Sequence, residues 1–119
     1  MAERHRIKWL QGARIDVLQI GHYIANDSPA NAKKALRKIR EAVNDLEAFP
    51  NRGRVVPELE KQGVFLYKEL VIPPWRLIYR SSGKIIIVFA VIDSRMNIED
   101  ILFNRIYRDE VAIQNQTFD

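Results

Sequence analysis

The chain has 119 residues, with 19 Lys and Arg against 15 Asp and Glu, and it contains no cysteine. That length fits one ordinary domain whose core needs no covalent staple, and the missing thiols exclude disulfides and thiolate metal sites. A formal charge of +4 and a pI near 9.6 favour an acidic partner, either nucleic acid or an acidic protein segment.

The start, residues 1–6, is charged and no apolar h-region follows it, so a secretory signal is not expected. The longest apolar run, residues 85–92, is too short to span a bilayer. The expected setting is the cytoplasm, with no membrane partner.

Residues 5–10 read as a short strand with Ile7 and Trp9 on one face and Lys8 on the other. Ala13, Val17, Ile20 and Ile24 then recur at helical spacing, opposite Arg14, Asp16 and Gln19. Ser28 suits the N-cap of a second helix and Pro29 its first position, where a missing N–H costs nothing. This helix is expected to reach about Ala48. Ala32, Ala35, Leu36, Ile39, Val43 and Leu46 form its buried stripe, while Lys33, Lys34, Arg37, Lys38 and Arg40 lie mostly outside it. So short a turn between amphipathic helices implies an antiparallel hairpin. Phe49-Pro50 ends the hairpin, and residues 51–54 form a turn.

From Phe65 onward the period becomes that of strands. Residues 65–72 are one, ended by Pro73-Pro74, because proline cannot donate to a ladder. Residues 75–80 are the next, and residues 84–92 the third, apolar throughout from Ile85 as a central strand covered on both faces would be. Short turns make these an antiparallel meander. Asn97 can cap a last helix with Ile98, Ile101, Leu102 and Ile106 along one face. Residues 1–108 are expected to form one domain, followed by a polar, loosely held tail, 109–119. The expected class is α+β, in the order β-α-α-β-β-β-α, with the helical hairpin on one face of a single antiparallel sheet.

No GxGxxG, P-loop, HExxH or paired-cysteine spacing is present, so neither a cofactor nor a metal is expected. His22 falls on the first helix beside the apolar stripe and His5 near the terminus, and both read as surface or structural residues. Glu99-Asp100 is accounted for by the helix macrodipole. What remains is arginine on strands. Alternation puts Arg76, Ile78 and Arg80 on the face opposite Trp75, Leu77 and Tyr79. Asp93 and Arg95 share a parity at the exit of the neighbouring strand, so Arg95 is expected near Arg76. Clustered guanidiniums need an anion between them. Either Asp93 supplies it, as an Asp93–Arg76 or Asp93–Arg95 salt bridge, or an outside carboxylate or phosphate does.

Several segments together carry a resemblance: "IKWLQGARIDVLQIGHYIA", Pro29 and Ala32, "LEAFPNRGR", "VPEL", "WRLIYR" and "VFAVIDSRMNIEDILFNRI". Their order and spacing resemble the toxin of bacterial type II toxin–antitoxin (plasmid stabilisation) systems, in the RelE/ParE superfamily, over about Ile7 to Ile106. "SRMNIEDILFNRI", "FPNRGR" and "VPEL" are similar to the ParE-like branch. The resemblance implies an inhibitor of DNA gyrase, not an enzyme, that is neutralised by a cognate antitoxin. A gyrase poison needs a surface, for which Arg76, Arg80, Asp93, Arg95, Asn104, Arg105 and Arg108 are candidates. The alternative branch implies a ribosome-dependent, metal-independent mRNA endoribonuclease with Arg76, Arg80, Arg95 and Tyr107 at its centre. Many superfamily members carry a histidine where this chain has Asp93, whose charge would repel a phosphate. A third reading is a non-toxic member retained for antitoxin binding.

Overall fold

A computed structural model of the chain describes residues 4–115. Residues 1–3 of the charged start and residues 116–119 of the expected tail lie outside the described residues. The elements are β1 (Arg6–Trp9), α1 (Gln11–Ala25), α2 (Pro29–Asp45), β2 (Arg54–Val55), α3 (Pro57–Glu60), β3 (Lys68–Ile72), β4 (Trp75–Ser82), β5 (Ile85–Asp93) and α4 (Ile98–Gln114).

The hairpin forms where the capping residues ask for it. Ser28 is extended, its Oγ accepts the Asn31 N–H at 3.1 Å, and Pro29 opens α2. Gly21 is buried at the crossing of the two helices, where an added Cβ would stand 3.1 Å from Leu36 Cδ1. The sheet order is β1-β5-β4-β3-β2, with β1 parallel to β5 and the other pairs antiparallel. The β3–β4–β5 meander follows the expected pattern, and Gly83 takes the positive φ of 59° in its second turn.

Two apolar layers sandwich the sheet. On one face Leu77, Tyr79, Ile86 and Val88 pack with Ile39, Val43 and Leu46 of the hairpin. On the other, Ile78, Ile87 and Phe89 pack with Leu59, Ile98, Leu102 and Ile106. Strand β5 is therefore covered on both sides, which is why its sequence shows no alternation.

Three expectations need correction. The strand expected from Phe65 begins at Lys68. Its first residues are held differently: the Tyr67 carbonyl accepts the Val56 N–H at 3.0 Å and its ring meets Phe89 edge-on, centroids 5.6 Å apart. Residues 54–60, expected to start in a turn, also supply β2 and α3. The last helix does not stop near Arg108. It runs to Gln114, because Ile106 and Ile113 pack on the second layer and Glu110 pairs with Arg80 of β4. Asn97 occupies the N-cap position as expected, but its amide donates to the Asp100 carboxylate at 3.2 Å and makes no cap to the backbone. No helix among the described residues is long and apolar enough to cross a membrane.

Candidate functional site

Arg76 and Arg80 do lie on the sheet face away from the hairpin, but that face is not open. Arg76 is 8% exposed. Its Nη1 and Nη2 donate to the two oxygens of Glu58 in α3, at 2.8 and 2.7 Å, and its Nε donates to Glu69 Oε1 at 2.8 Å, with a further bond from Nη2 to the same oxygen. The Glu69 carboxylate is wholly buried, and its other oxygen accepts from Arg54 Nε at 2.8 Å. The hydrogen bonds that Arg76 donates to Glu58 raise the Arg76 pKa and hold the Glu58 carboxyl below the usual range. Arg80 is clamped by α4: Nε and Nη2 donate to the oxygens of Glu110 at 2.8 and 3.0 Å, and the guanidinium lies 5.7 Å from the centre of the Phe89 ring. Burial, followed by the charge of Glu110, pushes the adjacent Tyr67 hydroxyl up to about 12.

Arg95 does not join Arg76 because of one extra residue. Ile78 stands opposite Ala90 but Tyr79 stands opposite Val88, so Phe89 has no partner of its own and β5 bulges there. Phe89 and Ala90 consequently both face the second layer. Beyond the bulge the parity is inverted, and Asp93 pairs with Trp75 on the hairpin side, not with Arg76. Of the two internal ion pairs considered, Asp93–Arg95 is the one that forms. Arg95 Nε and Nη2 donate to Asp93 Oδ1 and Oδ2 at 2.9 and 2.6 Å, and the Arg95 backbone N–H adds a bond of 2.9 Å. The guanidinium beside it lowers the Asp93 pKa to about 2. The Arg95 side chain is 82% exposed.

This pair sits at the rim of a cleft of about 650 Å³ between α1, the exit of β5 and the start of α4. Ile20, Trp75 and Ile101 contribute apolar walls, with Tyr23, Met96 and Arg105 also lining it. Tyr23 and Met96 are 76% and 54% exposed. Asp16 lines the inner side of the same cleft. Strand β1 pairs only as far as Val88, so the Val91 N–H finds no strand partner on that side. Asp16 Oδ2 accepts it at 2.9 Å and also accepts from Arg105 Nη1, tying α1, β5 and α4 together.

Helical spacing predicts Asp16 on the side of α1 opposite the apolar stripe. It borders that stripe instead, and its partner lies 89 residues away. Asn104, Tyr107 and Arg108 project outward from α4, whereas Arg105 turns into the cleft. The structure thus gathers Asp93, Arg95 and Arg105 at one cleft, and leaves Arg76, Arg80, Asn104, Tyr107 and Arg108 elsewhere. Among the described residues no three His, Cys, Asp or Glu side chains converge as a metal ion requires.

A family model for the ParE toxin of the type II toxin–antitoxin system parDE matches residues 7–98. Toxin ParE3 of Caulobacter vibrioides is 29% identical over 73 residues, which span 61% of this chain and 69% of that protein. A chain of the chromosomal ParDE system from P. aeruginosa superposes with a TM-score of 0.62 at 26% identity, over 77% of this chain and 98% of the other. A chain of the toxin–antitoxin complex RelBE2 from Mycobacterium tuberculosis shares the fold, with a TM-score of 0.54 at 20% identity over 76% and 98%. With nearly the whole βααβαβββ body inside the matched region, the chain belongs to the ParE toxin family of type II toxin–antitoxin systems.

Proposed function

We propose that this toxin acts by inhibiting DNA gyrase and is neutralised by a cognate antitoxin. The observation that carries the reading is the internal engagement of Arg76 and Arg80. Metal-free RNA cleavage needs cations free to hold the scissile phosphate, beside an acid and a base. All three arginines available for that task are already engaged: Arg76 and Arg80 by Glu58, Glu69 and Glu110, and Arg95 by Asp93 at the cleft rim. The remaining exposed features favour contact with another protein: the cleft rimmed by Asp93 and Arg95, and the outer side of α4 with Asn104, Tyr107 and Arg108. Such a cleft, with apolar walls, the Asp16–Arg105 pair on its inner side and Asp93–Arg95 at its edge, suits a protein segment of mixed character. Relatives in this fold are found as toxin–antitoxin systems, which supports an antitoxin here. The toxin would work in the cytoplasm, where gyrase is, and on a plasmid it would act as a stabilisation module.

The test is to induce the chain alone and follow thymidine and methionine incorporation together. Thymidine incorporation should fall first, and purified toxin should inhibit supercoiling by gyrase. Loss of methionine incorporation first, with cut mRNA, would move the activity to the ribosome. Unimpaired growth would leave a non-toxic antitoxin-binding protein. Arg95→Ala should weaken toxicity at equal expression.

A further inference from the structure

The outer face of α2 carries a feature that neither the cleft nor the gyrase reading uses. Lys33, Lys34, Arg37, Lys38 and Arg40 are all exposed there. Lys33, Arg37 and Arg40 form one row at i, i+4, i+7, and Lys34 and Lys38 run beside it, over about 10 Å of helix. Lys38 Nζ donates to the Pro73 carbonyl at 3.4 Å. Among the described residues Lys33, Lys34, Arg37 and Arg40 make no ion pair, unlike Arg52, Arg54, Arg76, Arg80, Arg95 and Arg105. Like charges at i, i+4 destabilise a helix; no acid in the first turn of α2 relieves them, and the nearest on this side, Glu41, follows Arg37 at i+4 beyond Lys33 and Lys34. The net charge is localised as well. The formal excess of +4 is smaller than this group of five, so the rest of the chain is net negative.

We propose that this face of α2 binds the phosphate backbone of duplex DNA without regard to sequence. Three physical reasons select that partner. A protein partner would need an apolar or aromatic anchor at the centre of the contact, and the residues interleaved on this face offer none. An anionic membrane would likewise need apolar side chains to insert. Single-stranded nucleic acid is held by stacking on aromatic rings, and α2 has no aromatic residue. Lysine and arginine on a straight rod need only a regular array of phosphates, which a duplex supplies at one charge per about 1.7 Å of axis. The inference does not depend on gyrase, and its test contains none.

Labelled 20-base-pair duplexes of two unrelated sequences are titrated with the full chain across a salt series, with fluorescence anisotropy as the readout. Both should bind equally, with log K falling against log salt at a slope of about −0.9 per phosphate contacted, hence about −4 for four or five contacts. The triple variant K33Q/K34Q/R37Q should bind at least tenfold more weakly at low salt and flatten the slope by about 2 to 3. It should still fold, shown by an unchanged circular dichroism spectrum, since glutamine is a good helix former and the repulsion is relieved. A control with the same charge change elsewhere, R6Q/K8Q/K61Q, should alter the slope by less than about 1. Equal losses in the two triples, no binding at low salt, or equally tight binding of polyglutamate would each overturn the assignment.

Discussion

Replacing Arg76 by methionine keeps the aliphatic stem but removes the charge that Glu58 and Glu69 share. Glu69 is wholly buried, so it is left beside one remaining cation, Arg54, whose side chain is 63% exposed. Breaking a buried ion pair from one side costs about 3–5 kcal/mol. Arg54 still reaches Glu69 and Glu58 is partly exposed, so the lower end, about 3 kcal/mol, is the expected loss. In urea this moves the unfolding midpoint down by about 1–3 M at the slopes common for small domains. Arg95→Ala serves as the contrast. That side chain is 82% exposed, and its loss should leave the urea midpoint essentially unmoved. Acid provides a second arm. The deficit of Arg76→Met should shrink as the stranded carboxylates take up protons, and Glu58→Gln in the same background should recover part of it. Arg76→Met within about 1 kcal/mol of the parent, or Arg95→Ala as costly as Arg76→Met, would refute the buried-clamp account.

Gly53→Ala would put a Cβ 2.5 Å from the Glu69 carbonyl oxygen and 2.7 Å from the Tyr79 hydroxyl, which itself accepts the Gly53 N–H at 2.9 Å and donates to the Pro50 carbonyl at 3.0 Å. A loss of about 1–3 kcal/mol in thermal or urea melts, with faster Gly53 amide exchange, is expected, and an unchanged melt contradicts the contact. Glu58 has a folded pKa below its ordinary 4.5, so the unfolded chain binds more protons as acid is added. Its contribution is complete above about pH 4.5 and lost as pH falls through the folded value; melts from pH 7 to pH 3 should show this loss, and Glu58→Gln should flatten it. Asp109 has the opposite sign. Burial raises its pKa, and among the described residues Oδ2 is buried without a partner, so Asp109→Asn should raise the melting temperature at pH 7, a gain that fades as acid protonates the parent. A lower melting temperature at pH 7 would show that attraction to Arg105 and Arg108 outweighs the cost of burial.

The periodicities located the hairpin, the meander and the doubly covered strand because each depends on residues within one element. Ser28-Pro29 marks the hairpin turn, and the unbroken apolar run in β5 marks its central place. The short pieces at 54–60 and the last turns of α4 escaped because they are held by distant partners, not by a local apolar period. Tyr67 holds β2 in place, Glu58 ties α3 to the sheet, and Glu110 ties α4 to Arg80. A regular ladder would keep Asp93 on the Arg76 face, but at Phe89 a single unpaired residue inverts the parity of everything that follows.

By itself the sequence determined the fold class, the family likeness and which sheet face Arg76 and Arg80 would occupy, since alternation and helical spacing are properties of neighbouring residues. Only the tertiary structure decided that this face is closed, that Asp93 turns to the hairpin side, and that Asp16 joins Arg105 in the cleft. Those outcomes rest on pairings between residues as far as 89 positions apart, and no local pattern encodes which carboxylate a guanidinium will meet once the chain has packed.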